Sequence, residues 1–199
     1  MTVKSTIFTA ALALALIPSV AFAHTGVGDT SGFIHGFSHP VSGLDHILAM
    51  VMVGLLAYQL GGRAIWLVPT TFVLVMAMGG ALGVAGINIP FVEAGIALSV
   101  VVLGAMVAFG VKAPTAAAMG VVGLFAIFHG HAHGAEMPES VAGLAYAAGF
   151  MIATAMLHGL GIGVGFLIGG GGAQYGSGVV RASGGIAAVA GIGILTGLL

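Results

Sequence analysis

Apolar residues run through this chain in long blocks separated by short polar or glycine-rich breaks, with little alternation inside the blocks. Six such blocks fall near 42 to 60, 64 to 86, 90 to 110, 114 to 132, 140 to 168 and 179 to 199, and each approaches the ~20 mainly apolar residues that a helix needs to cross hydrocarbon. The breakers lie between them: Gly61-Gly62, Ile89-Pro90, Ala113-Pro114, Met137-Pro138 and the run Gly169 to Gly172. Pro40, Pro90 and Pro114 stand near helix starts, where a missing N–H costs nothing. The block from residue 140 is longer than a bilayer core requires, so it should tilt, kink or extend into water. The pattern predicts an all-α fold, a polytopic membrane bundle of six transmembrane helices.

The first residues read as a secretory signal peptide over 1–23. Lys4 supplies a positive start, Ile7 to Val20 an apolar stretch, and Ala21-Phe22-Ala23 a small-residue cleavage site. An uncleaved first helix is the alternative, and both place residue 24 on the outer side. Residues 24–199 then form a single six-helix domain. With that orientation Arg63, Lys112 and Arg181, the basic residues beyond Lys4, all fall in or beside cytoplasmic loops, as the positive-inside rule requires.

Composition narrows the chemistry. The chain of 199 residues is 59% apolar and only 5% charged, with a mean hydropathy of +1.21, so the bilayer is its solvent. It contains no Cys, which removes disulfides, thiolate metal sites and thiol nucleophiles. A net charge of −1 and no basic run give no indication of nucleic acid as a partner. The run Gly169 to Gly172 lacks the Gly-Lys-Ser/Thr of a phosphate loop, and ATP-driven pumping by this chain alone is excluded. Association between copies of the chain is left open.

Against that background the ionisable residues are concentrated. His35, His39, Asp45 and His46 lie in HGFSHPVSGLDH; His129, His131, His133, Glu136 and Glu139 lie in HGHAHGAEMPE. Imidazole and carboxylate together suit borderline divalent metals, and such groups in a membrane segment mark an ion or proton path. The topology puts both clusters on the outer side, with Glu93 at the outer end of the third helix.

Asp45 precedes an almost wholly apolar stretch and cannot face lipid at low cost; turned inward it can accept the ring N–H of a liganding His or bind a cation itself. Its plainer role is a helix cap or dipole partner. His129 and His133 share a helix face while His131 points away; in an extended segment, which Gly130 and Gly134 would permit, all three alternate onto one side. A solvated histidine-rich loop is the plainer reading there.

His158 lies in the middle of the fifth block, either as a neutral core histidine bonded to a backbone carbonyl or as a second site towards the cytoplasm. Cleavage after Ala23 would leave His24 with a free α-amine beside its imidazole, two nitrogens able to chelate one metal, or else an idle terminus. The four-residue glycine spacings Gly79/Gly83, Gly159/Gly163, Gly161/Gly165 and Gly193/Gly197 let helices approach closely in lipid. The Met residues read as apolar filler rather than a Cu(I) site.

The end of the signal, AFA-H, the stretch HPVSGLDHILAMVMVGLLA at 39 to 57, HGHAHGAE at 129 to 136 and GFMIATAMLHGLGIG at 149 to 163 resemble the HupE/UreJ family of nickel permeases. The resemblance covers the mature chain in order. It implies secondary transport of Ni²⁺, or Co²⁺ in some members, across the bacterial inner membrane to supply hydrogenase or urease, with the metal as cargo and no prosthetic group. A related transporter family carries H-x4-D-H, whereas His39 to His46 here is H-x5-D-H with a proline inside.

Three functions of different kinds are compatible with the residues. One is a metal permease with the mature N-terminus periplasmic and His24, His35, His39, Asp45, His46, Glu93, His129, His131, His133 and His158 as metal-handling residues. Another is an intramembrane metal-dependent hydrolase, which needs about three ligands around an open position beside a general base. The third is a non-transporting membrane subunit that binds metal for a partner enzyme.

Overall fold

The computed structural model describes residues 32–137, 143–169 and 176–199. Among these residues the regular structure is all helical: α1 (Gly32–Ser38), α2 (Leu44–Leu60), α3 (Ala64–Val84), α4 (Val92–Phe109), α5 (Thr115–Ala135), α6 (Gly143–Gly169) and α7 (Gly176–Leu195). The expected signal segment, His24 and Glu139 lie outside the described residues. Each of the six apolar blocks contains one helix, with ends shifted by a few residues. The short α1, which the apolar pattern does not announce, packs on α6.

The helices α3 to α7 are long and apolar enough to cross a membrane. At 17 residues, α2 rises about 26 Å, a little short of a ~30 Å hydrocarbon core. Its position explains its sequence. It touches every helix from α3 to α7, and Ala49, Met50 and the run Met52 to Ala57 are buried. A helix surrounded by other helices is apolar on all sides, and much of this apolar stretch is the protein's own core.

Close helix approach rests on glycines that face each other's backbone. A Cβ on Gly130 would strike the Met76 carbonyl and one on Gly134 the Gly80 carbonyl, which locks α5 onto α3. Gly54 and Gly161 do the same for α2 and α6, Gly104 and Gly184 for α4 and α7, and Gly36 and Gly149 for α1 and α6. Helices in lipid gain no hydrophobic drive from association, so van der Waals contact between bare backbones supplies much of it. Gly79, Gly83, Gly161 and Gly165 fill the role their spacing predicts, while Gly159 and Gly163 face open space and Gly197 takes a left-handed turn at φ 72°.

The bundle has two chemically distinct ends. Arg63 follows α2, Lys112 follows α4 and Arg181 sits in α7; Lys112 and Arg181 share a small cavity with Gln59. The Arg181 Nε donates to the Ala108 carbonyl at 2.7 Å. Histidines gather at the opposite end.

Candidate metal site

Three segments meet at the histidine-rich end. The turn after α1 brings His39, held by its own backbone: its N–H donates to the His35 carbonyl, and its carbonyl accepts from the Ser42 N–H and hydroxyl. The first turn of α2 brings Asp45 and His46. The last two turns of α5 bring His129 and His133, and Glu136 caps that helix. Of the two readings of this tract the helical one holds: the unwinding that Gly130 and Gly134 would permit does not occur, because both glycines are seated against α3, and the helix persists to Ala135. His129 and His133 therefore share one face.

On that face the imidazoles form a chain. The His46 ring lies 4.8 Å from the His129 ring and 4.5 Å from the His133 ring. His133 continues to His39 at 4.7 Å. The His39 Nε2 is 3.2 Å from a Glu136 carboxylate oxygen. Ligand atoms of His39, His133 and Glu136 all lie within 4.8 Å of one another. Exposure falls from the outer to the inner end, though not at every step: the Glu136 side chain is 57% exposed and that of His39 34%, His133 is 2% exposed, the His46 side chain 12% and His129 0%. An ion entering here would pass from wet ligands to dry ones.

Hydrogen bonds set which ring nitrogens are free to coordinate. One Asp45 carboxylate oxygen accepts from both the His46 N–H at 2.7 Å and the His46 Nδ1–H at 2.8 Å. The proton on Nδ1 leaves His46 Nε2 as a bare lone pair, and that atom is buried without a partner. The Ser99 hydroxyl gives its proton to the Ile96 carbonyl at 2.6 Å, so it must accept from His129 Nε2–H at 2.9 Å. His129 Nδ1 is then the bare nitrogen, again buried and unpartnered. Carboxylate or hydroxyl partners that orient a liganding imidazole in this way are usual around metals. Both nitrogens of His133 are buried and unpartnered, and buried polar atoms in proteins normally find partners.

Gly43 belongs to the same construction. It is the N-cap of α2, with no side-chain cap bond, and a Cβ there would stand 2.7 Å from the Asp45 carboxylate and 3.3 Å from His46 Nδ1. Asp45 is thus in the first turn without being the capping residue. Burial lowers the His39 pKa below its ordinary 6.5, against the opposing pull of the Glu136 carboxylate, which favours the neutral imidazole a metal requires.

The remaining candidates are placed elsewhere. His131 points away from the chain of rings, and its Nε2 donates to the Ile87 carbonyl at 2.7 Å, pinning the loop between α3 and α4. His35 is partly exposed with its ring 6.1 Å from that of Tyr146. Glu93 is exposed in the first turn of α4, and no described contact brings it to the histidines. His158 is 1% exposed in mid-α6 and is bonded to no backbone carbonyl. Phe72 was not a candidate from the sequence, yet its ring packs 5.6 Å from His129 and 5.2 Å from His158. Ser99 was also missed; a lone hydroxyl in the apolar interior of α4 was its signal. Glu136, noted beside the second cluster but not among the metal-handling residues, is the acid that reaches His39.

The donor set is two carboxylates and four imidazoles with no thiolate, which fits a borderline divalent cation and offsets its charge. The protein HupE of Rhizobium leguminosarum bv. viciae is 54% identical over 159 residues, covering 80% of this chain and 83% of that protein. No solved structure gives a significant match. The family model described as HupE / UreJ protein matches residues 12–194, and the chain belongs to that family.

Proposed function

We propose that the protein is a secondary permease for a divalent transition-metal cation, Ni²⁺ with Co²⁺ as the nearest competitor, moving it from the outer face into the bacterial cytoplasm to supply metalloenzyme assembly such as that of hydrogenase or urease. The observation that carries this reading is the descending line of ligands, from exposed Glu136 and half-buried His39 to fully buried His129, with His46 and His129 each holding one bare nitrogen. A graded line of ligands suits passage; a single closed set suits storage or hydrolysis. A hydrolase would need an open metal position beside a general base, and the two acids of the cluster are already engaged with His46 and His39.

In this reading α2 is the sixth span, the segment before His24 is removed, and the mature N-terminus is periplasmic. Support comes from the placement of Arg63, Lys112 and Arg181 away from the histidine end. Glu136 and His39 replace the first waters of the ion. Asp45 holds His46 in the liganding tautomer, and His46, His133 and His129 draw the ion inward. The test is uptake of radioactive Ni²⁺ by proteoliposomes that contain only this protein. Accumulation above empty vesicles, inhibited by Co²⁺ and unaffected by ATP, supports a permease, and its absence with correctly inserted protein refutes it.

A further inference from the structure

The basic end of the bundle has cations and no acid of its own to meet them. Lys112 and Arg181 line one cavity of about 190 Å³. The chain has five acidic residues, and Asp45, Glu93 and Glu136 stand at the opposite end, in the first turns of α2 and α4 and at the close of α5. Asp29 and Glu139 lie outside the described residues, in segments that the sequence joins to that same opposite end, before α1 and between α5 and α6. Helix α7 starts at the cavity and runs about 30 Å away from it, so the terminal carboxylate is remote as well. A counter-charge for this cavity has to come from outside the chain.

Four helix ends build the cavity. Tyr58 comes from the last turn of α2, Gly110 and Lys112 follow α4, Gly169 ends α6, and Ser177 and Arg181 belong to the first two turns of α7. The Arg181 Nε donates to the Ala108 carbonyl at 2.7 Å, which fixes the guanidinium and leaves its two terminal NH₂ groups without an acceptor among the described residues. Ser177 adds a hydroxyl in the first turn of α7, where unpaired N–H groups and the helix dipole favour an anion. Gly169 clears the Tyr58 hydroxyl, which a Cβ there would strike. A fixed guanidinium, an ammonium and hydroxyl groups around one space form a donor surface suited to phosphate oxygens. Beside it the surface turns apolar: Phe109 and Leu167 are 75% and 81% exposed, one and two positions from Gly110 and Gly169.

We propose that this cavity binds the phosphate of an anionic phospholipid, with Lys112 and the free end of the Arg181 guanidinium on the phosphate oxygens and the acyl chains along the apolar surface at Phe109 and Leu167. Only the choice of the cytoplasmic leaflet rests on the permease reading, through its orientation of the bundle. Basic pockets between transmembrane helices on that side are where such headgroups are held. Free phosphate shares the anion chemistry but gains nothing from the apolar rim. Once bound, the headgroup ties together the ends of α2, α4, α6 and α7, and α2 carries Asp45 and His46 in its opposite turn.

The test titrates the full chain, stripped of lipid in a neutral detergent at about 0.15 M salt, with short-chain phosphatidylglycerol in a calorimeter. Lys112→Gln and Arg181→Gln should each weaken binding by about 5-fold or more. Arg63→Gln removes the same charge from the same end but not from the cavity wall, and should stay within about 2-fold because salt screens it. Equal losses in all three variants, or no loss in the first two, overturn the site. Lys112 is exposed and outside any helix, so its variant should fold; melting temperature checks both, and Lys112→Gln decides alone if Arg181→Gln does not fold. Short-chain phosphatidylcholine, which has the phosphate without net charge, should bind at least about 5-fold more weakly, and equal binding overturns the anionic headgroup. Inorganic phosphate binding as tightly as the lipid overturns the lipid as its source, and poly-glutamate binding without phosphatidylglycerol binding overturns it in favour of an acidic protein. None of these readouts involves Ni²⁺, so their failure leaves the permease reading to its own uptake test.

Discussion

Replacing Asp45 with Asn separates charge from shape. The Asn side-chain oxygen can still accept from the His46 backbone N–H and Nδ1–H, the two bonds that Asp45 makes at 2.7 and 2.8 Å, so the start of α2 and the His46 tautomer should survive. What is lost is one negative charge behind a liganding imidazole. At an effective dielectric near 20, a carboxylate ~5 Å from a divalent cation contributes about 6 to 7 kcal/mol of attraction. Much of that is offset because the carboxylate and the ion both give up water to be there. Loss of such an outer-shell carboxylate typically costs about 10- to 100-fold in metal affinity. We expect Asp45→Asn to fall in that range in calorimetric Ni²⁺ titration of purified protein, to melt within a few degrees of wild type, and to lose most uptake at low Ni²⁺. Affinity and uptake within about 3-fold of wild type would show that the carboxylate does not act on the ion.

Gly43→Ala tests the same pair by sterics: the added carbon would stand 2.7 Å from the Asp45 carboxylate, so Ni²⁺ affinity should fall about 10-fold while α2, which already has a non-helical N-cap, keeps its content by circular dichroism; unchanged affinity would mean the pair can relocate freely. His131→Ala removes the donor to the Ile87 carbonyl, so it should lower stability by about 1 to 3 kcal/mol with Ni²⁺ affinity unaltered, and a large affinity loss at full stability would make His131 a ligand. The pH dependence follows from His39. Its pKa is lowered by burial, so the neutral, liganding form persists below pH 6.5 and is lost only as pH falls further; Ni²⁺ binding should weaken on that lower side, and half-loss above pH 6.5 would contradict the burial argument. Uptake that rises steadily towards acid would indicate proton coupling.

Much of the fold was legible because lipid imposes a length and glycine and proline mark the breaks. All six apolar blocks hold a helix, and the bounds 64 to 86 and 90 to 110 differ from α3 and α4 by two residues or fewer at either end. The central place of α2 was not legible, since a helix among lipids and a helix among helices are equally apolar. At the site, Asp45, His46 and the shared face of His129 and His133 could be read from helical spacing. The approach of His39 to Glu136, 97 residues later, could not, because it depends on how α1, α2 and α5 converge. Ser99 and Phe72 matter through what they touch, and neither residue type announces a metal path.

The tract HGHAHGAE shows how two helical turns can carry three unrelated demands. Consecutive positions on a helix differ by about 100°, so its residues face different neighbours. His129 and His133 turn to His46; Gly130 and Gly134 turn to the bare backbone of α3 at Met76 and Gly80; His131 turns to the Ile87 carbonyl. Glycine here costs helix propensity, and its usual effect would be to loosen the tract. Seated against another backbone, it does the reverse. The close α3 contact leaves no room for α5 to unwind, and that rigidity keeps His129 and His133 one turn apart on the face turned to His46. Enlarging either glycine should therefore damage metal binding through the helix that carries the ligands, without touching a ligand itself.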